Sequence, residues 1–283
     1  MRLLDLPQAE HFCAARPAPA GTSQSLPHFY TSLAPSITTL SEGDGLFEVH
    51  QANLLNSVER WLVFSLSHYQ RALDMLVPVS APWLQVTLYY SSFFAANAIL
   101  GMLGGWVGQT KTGKRILVDV ERGVPGSQEL KIHRKFQSPN GASGSHRLFW
   151  DIFYDATAVI SAWAPAPLLS ALDPVNNDFA WQIGERNDVN YDMFHAWEAS
   201  TLFFNTFDAA NLASLSGPPA LQLEKTDLMI KLALFFADAV ALPGLSLDGC
   251  GATGTRRERQ KLLVNNVPPE LVAQSQLPTI LEL

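Results

Sequence analysis

The chain has 283 residues and a mass of 31.1 kDa, enough for one large domain or two small ones. Apolar residues make up 47% and charged residues 16%, which excludes a disordered chain, a coiled coil and a collagen-like fibre. Two cysteines, Cys13 and Cys250, exclude a disulfide scaffold and a four-cysteine zinc module, and the net charge of −7 argues against a uniformly basic nucleic-acid binder.

Residues 1–45 are rich in Pro, Ala, Ser and Gly and predict an irregular N-terminal arm. Met1–Glu10 holds one Arg and no long apolar stretch, so no signal peptide is expected and the cytoplasm is the expected location. Residues 46–243 predict a helical domain. In His50–Met75 the apolar residues Leu54, Leu55, Val58, Leu62, Leu66 and Leu73 recur at helical spacing, with Arg60, His68 and Arg71 between them. Pro78 and Pro82 break the pattern, and a second helix runs from Trp83 to Leu103, ended by Gly104–Gly105.

No charged residue occurs between Asp74 and Lys111. Trp83–Gly105 is long enough to cross a bilayer. Gln85, Thr87, Ser91, Ser92 and Asn97 are spread around it, however, and its Tyr and Phe residues are central rather than at the two ends. A central bundle helix, hydrophobic almost all round, has this composition. A buried helix is therefore expected, and no membrane span.

The period then changes. Arg115–Val120 and Glu129–Phe136 alternate polar and apolar residues around a loose loop and predict a β-hairpin inserted at 106–145. Gln137–Ser145 reads as a loop. His146–Trp163 predicts a third helix with Ser145 as its cap, Tyr191–Leu215 a fourth and Leu221–Val240 a fifth. Residues 244–283 read as a Gly-rich, then basic tail carrying Arg256, Arg257, Arg259 and Lys261.

Charge is unevenly distributed. From Lys111 to Arg147 eight basic residues face three acidic ones, a net of +5, which leaves −12 on the remainder. A basic segment on an acidic body marks either a polyanion contact or a solvated hairpin. For an RNA contact the candidates are Lys131, Arg134, Lys135, His146 and Arg147.

Gly108–Arg115 nearly fits the phosphate-binding P-loop. It ends in Arg115 where a hydroxyl is required, and it follows a helix and opens a strand, the reverse of the P-loop context. A polar turn is expected. The seven histidines form no H-x3-H or H-E-x-x-H pattern and neither cysteine has a CxxC partner, so no metal site and no cofactor is expected.

The most suggestive segment is Gly184–Asp192, a polar cluster before an apolar helix. His195 follows Tyr191 at i+4, so in a continuous helix the two share a face. Arg186 is suited to clamping a phosphate and His195 to carrying a proton near neutral pH. The alternative is a helix-capping cluster, with Asp188 or Asn190 as the cap.

Two segments together resemble the HEPN superfamily, compact helical bundles of prokaryotic toxin and antiviral systems. Leu88–Leu100 is similar to the family's pattern of aromatic and small residues, and Arg186-Asn187-x3-Tyr191 is similar to its later Arg-polar-x-His motif. The resemblance implies a mainly α fold, a HEPN-like helical bundle with an inserted β-hairpin. It implies a metal-independent ribonuclease acting by 2′-hydroxyl attack, with RNA as substrate and a homodimer or a partner protein held through apolar helix faces. Arg186 would hold the scissile phosphate and Asn187 would orient it. The family's histidine would fall near 191 to 193, where this chain has Tyr191, Asp192 and Met193; a phenol with a pKa of about 10 is a poor base at neutral pH, and His195 would substitute if it turns into the same cleft. That departure leaves open a HEPN-like subunit that binds RNA, a nucleotide or a protein without cutting.

Overall fold

The structure is a computed structural model that describes residues 1–14, 24–76, 81–136, 144–173, 178, 181–206 and 214–242. The expected tail at 244–283 and most of the Gln137–Ser145 loop lie outside the described residues. The described chain is mainly helical with one small antiparallel sheet. Its contacts divide it into two compact units, one built from Met1–Trp61, Ala96–Pro165 and residues 235–242, the other from Leu62–Ala95 and Ala166–Leu234.

In the first unit the expected irregular arm is instead structured. Helices α1 (Leu6–Cys13) and α2 (Leu26–Ser32) and strand β1 (Thr39–Ser41) lie within it. Their composition conceals them because each is short and started locally. Asp5 caps α1 by accepting from the Gln8 backbone N–H, and Gln8 Oε1 accepts in turn from the Asp5 backbone N–H, a capping box. A proline sits in the first turn of both helices, where its missing N–H costs nothing. Phe12, Cys13, Phe29 and Tyr30 are then buried. Burial pushes the Cys13 thiol up to about 12, so it is a packing group rather than a nucleophile.

The hairpin is part of a larger sheet. Strands β2 (Trp106–Gln109), β3 (Arg115–Arg122) and β4 (Glu129–His133) join β1 in the order β1-β4-β3-β2, all antiparallel. Ile116, Val118, Val120, Leu130 and Ile132 alternate inward, as the period of two requires. The near-P-loop is the β2–β3 turn: Gly113 adopts φ +79° and the Thr110 N–H donates to the Lys114 carbonyl. Helix α5 (Ser145–Asp155) follows, with Gly144 rather than Ser145 at its cap. The single helix expected at His146–Trp163 is divided at Ala156 from α6 (Thr157–Trp163). There the Thr157 hydroxyl donates to the Tyr154 carbonyl and diverts it from the helical ladder.

Helices α3 (Gly45–Asp74) and α4 (Ala81–Met102) are the two expected long helices, and each contributes a segment to both units. In the first unit they approach closely at Gly101: a Cβ there would lie 2.5 Å from a Val58 methyl carbon. Tyr30 stacks on Trp106 at 4.9 Å and hydrogen-bonds Nδ1 of His50 on α3 at 2.9 Å. His50 is fully buried, and burial lowers its pKa to about 3.

In the second unit the two central serines of uncharged α4 bond to neighbouring helices. The Ser65 hydroxyl donates to the Ser91 carbonyl at 2.9 Å and the Ser91 hydroxyl to the Ser65 carbonyl at 2.7 Å. Ser92 bonds Thr226 of α9 (Gly217–Ala239) at 2.9 Å. No helix among the described residues is long and apolar enough to cross a membrane.

Candidate functional site

The segment Gly184–Asp192 precedes a helix, as expected, but most of it also lies inside a helix of its own. Helix α7 (Trp181–Tyr191) carries Glu185, Arg186 and Asn187, and α8 (Met193–Thr206) begins after a single intervening residue, Asp192. The cap is Asp192 rather than Asp188 or Asn190: its Oδ1 accepts from the backbone N–H groups of Phe194 and His195. Tyr191 and His195 thus fall on either side of a helix junction. Tyr191 is exposed, whereas His195 is half-buried.

Arg186 is half-buried and held from several directions. Its Nη1 donates to Asn187 Oδ1 at 2.8 Å and its Nη2 to the Tyr90 hydroxyl on α4 at 3.0 Å. Its guanidinium carbon lies 5.8 Å from the centre of the Tyr89 ring and 5.7 Å from that of Tyr90, within cation–π range. The two segments that carry the family resemblance therefore meet in the fold.

Tyr90 extends the cluster to α3. The His68 ring lies 6.1 Å from Tyr90 and 5.2 Å from Phe94. His68 Nδ1 is 2.8 Å from the Phe64 carbonyl, which can only accept. In neutral His68 the proton therefore sits on Nδ1 and Nε2 is the basic nitrogen.

Three polar atoms here are buried without a hydrogen-bond partner among the described residues: Arg186 Nε, Glu185 Oε2 and His195 Nε2. Burial raises the pKa of Glu185, Asp188 adds to that rise, and His195 opposes it, which places the carboxyl and the imidazole within electrostatic range. The Arg186 guanidinium is chemically suited to binding an oxyanion, and the Glu185 carboxyl with the His195 imidazole to moving a proton.

The sequence singled out Arg186, Asn187, Tyr191 and His195; the structure adds Tyr90, Glu185 and His68 as neighbours in this region. Glu185 adjoins the noted motif, so its position was a signal. His68 is a lone histidine at helical spacing, and nothing local marks it.

The hairpin candidates are placed in the other unit. Lys131 pairs with Glu121 at 2.9 Å. Arg134 Nη2 donates to the Ala34 carbonyl at 3.2 Å. Lys135 and Arg147 are exposed and His146 is half-buried. Arg122 pairs with Glu129, and His133 lies 2.8 Å from Asp119, so the segment's three acids are each partnered within the sheet and its net of +5 stands. No group of three or more His, Cys, Asp or Glu among the described residues converges to hold a metal ion.

Comparison of the chain with protein-family models, with curated proteins and with solved structures finds no match.

Proposed function

We propose that the chain is a HEPN-like, metal-independent ribonuclease of a prokaryotic defence or toxin system. The observation that carries the reading is the bond from Arg186 to Tyr90, which joins the two resembling segments across 96 residues of sequence. Arg186 binds the non-bridging oxygens of the scissile phosphate and stabilises the charge of the phosphorane. Its Nε–H is uncommitted, and Asn187 and Tyr90 fix the guanidinium plane. His195 accepts the 2′-hydroxyl proton as the O2′–P bond forms and the P–O5′ bond breaks. The 5′-oxygen then takes up a proton, leaving a cyclic phosphate and a 5′-hydroxyl. Glu185 stabilises by its charge the imidazolium that forms. Tyr191 is solvent-exposed and has no role in this set.

The test is incubation of single-stranded RNA with purified protein in EDTA. Cleavage is expected to fall by roughly a hundredfold or more in Arg186→Ala and in His195→Ala, the scale of losing a charge-stabilising or acid–base group. Glu185→Gln is expected to shift the pH profile as well as the rate. RNA that remains intact at high protein concentration would sink the enzyme reading.

A second reading is a HEPN-like subunit that binds RNA, a nucleotide or a protein without cutting. It is favoured by one observation, that both terminal nitrogens of Arg186 already have partners inside the protein. It predicts binding that survives His195→Ala.

A further inference from the structure

From the exposed side of α7 and α8 we infer a docking surface for a basic, apolar segment of a partner protein. Tyr191, Phe194 and Trp197 are 77%, 68% and 70% exposed. Large exposed rings concentrated in this way mark an interaction site: Tyr191 ends α7, and Phe194 and Trp197 stand on the first turns of α8. Phe194, Trp197, Glu198 and Thr201 are all exposed and follow the i, i+3, i+4, i+7 spacing of one helix face. This stripe is the outward face of α8, while His195, Ala196 and Ser200 are partly covered.

Charge selects the occupant. The exposed acids around these rings are Asp188, Asp192 and Glu198, and no Lys or Arg occurs from Asn187 to Thr206. Aromatic rings beside carboxylates attract a cation twice, by charge and through the ring quadrupole. The same carboxylates repel RNA phosphates and anionic lipid headgroups. A second copy docking face to face would oppose three carboxylates to three more. The chemistry that fits is a segment in which Lys or Arg flank aliphatic side chains, laid along the α8 face as an amphipathic partner.

The surface is tested with the full chain and a short amphipathic peptide of leucine and lysine, with its leucine–glutamate counterpart as control, followed by fluorescence anisotropy. Saturable binding of the cationic peptide is expected. Trp197→Ala and Glu198→Lys are each expected to weaken it about tenfold or more, the range of a central aromatic anchor or a reversed complementary charge. Phe194→Ser is a second variant of the same face, and unchanged circular dichroism shows that each variant is folded. The inference is overturned if the anionic peptide binds as well, or if none of the folded variants changes affinity. It is equally overturned if single-stranded RNA, anionic vesicles or a second copy of the chain occupies the face in a Trp197-dependent manner.

Discussion

Two buried titratable groups set opposite pH trends on stability, and the difference between them is measurable. His50, fully buried against Tyr30, has its pKa lowered by burial to about 3. Asp227 on α9 has its pKa raised by burial to about 7, opposed by a hydrogen bond from Tyr69 and by the Lys231 charge. For His50 the unfolded chain takes up a proton near pH 6.5 while the folded chain does not, so stability is lost as pH falls below about 6.5. For Asp227 the folded carboxyl holds its proton longer than the unfolded one, so stability is lost as pH rises from about 4 toward about 7. Going from about pH 7.5 to about pH 5 therefore costs about 2 kcal/mol through His50 and returns about 2–3 kcal/mol through Asp227.

The two trends nearly cancel in the native chain, and removal of one group exposes the other. His50→Asn keeps an acceptor near the Tyr30 hydroxyl and removes the imidazole titration. Relative to the native chain, it should gain about 2 kcal/mol on going to pH 5, whatever its constant cost. Asp227→Asn should lose about 2–3 kcal/mol over the same interval, again relative to the native chain. Urea denaturation followed by circular dichroism at both pH values measures this. Other titrating groups, such as Glu42 and Glu121, are common to all three proteins and drop out of the differences. Parallel pH profiles for the three proteins would refute the reasoning.

Two further predictions concern close packing and the α7–α8 junction. Gly101→Ala places a methyl 2.5 Å from a Val58 methyl carbon. Overpacking of about 1–3 kcal/mol should outweigh the roughly 1 kcal/mol of improved helix propensity, and Val58→Ala in the same chain should recover most of the loss on chemical denaturation. Asp192→Ala removes an acceptor shared by two N–H groups. It should destabilise the chain by about 1 kcal/mol and raise amide exchange at Phe194 and His195, whereas Asp192→Asn should retain most of the cap.

The long elements were legible because their signals are local and repeated. The stripe Leu54, Val58, Leu62 and Leu66 places α3, and alternation in Arg115–Val120 places β3. What was missed depends on distant partners. Strand β1 has three residues and exists because Leu40 pairs with Leu130, a register that no short window contains. Strand β2 is hidden by Gly108 and joins the sheet through Trp106 opposite Val118. At the site, Arg186 stood out as a cation in a polar run, but its nearest aromatic partners lie on another helix. The ion pairing of the basic segment was hidden for the same reason: Lys131 and Glu121 meet across the β3–β4 pair and not as sequence neighbours.

Arg186 is therefore either a brace between α7 and α4 or a clamp for an external oxyanion, and its geometry separates the two. As a brace it loses hydration at Nε with nothing in return, since a buried unpaired donor costs about 1–3 kcal/mol. As a clamp, that donor recovers its bond when a phosphoryl oxygen arrives. A brace gains no stability from a phosphodiester, while a clamp gains in proportion to the logarithm of ligand concentration over Kd, about 2.7 kcal/mol at a hundredfold excess over Kd. A non-cleavable oligonucleotide lacking the attacking 2′-hydroxyl should raise Tm for the native chain and for His195→Ala. It should not do so for Arg186→Met, which keeps the aliphatic stem against Tyr89 and Tyr90 but removes every donor. An equal rise in Arg186→Met would assign the oxyanion contact elsewhere and leave Arg186 as a brace.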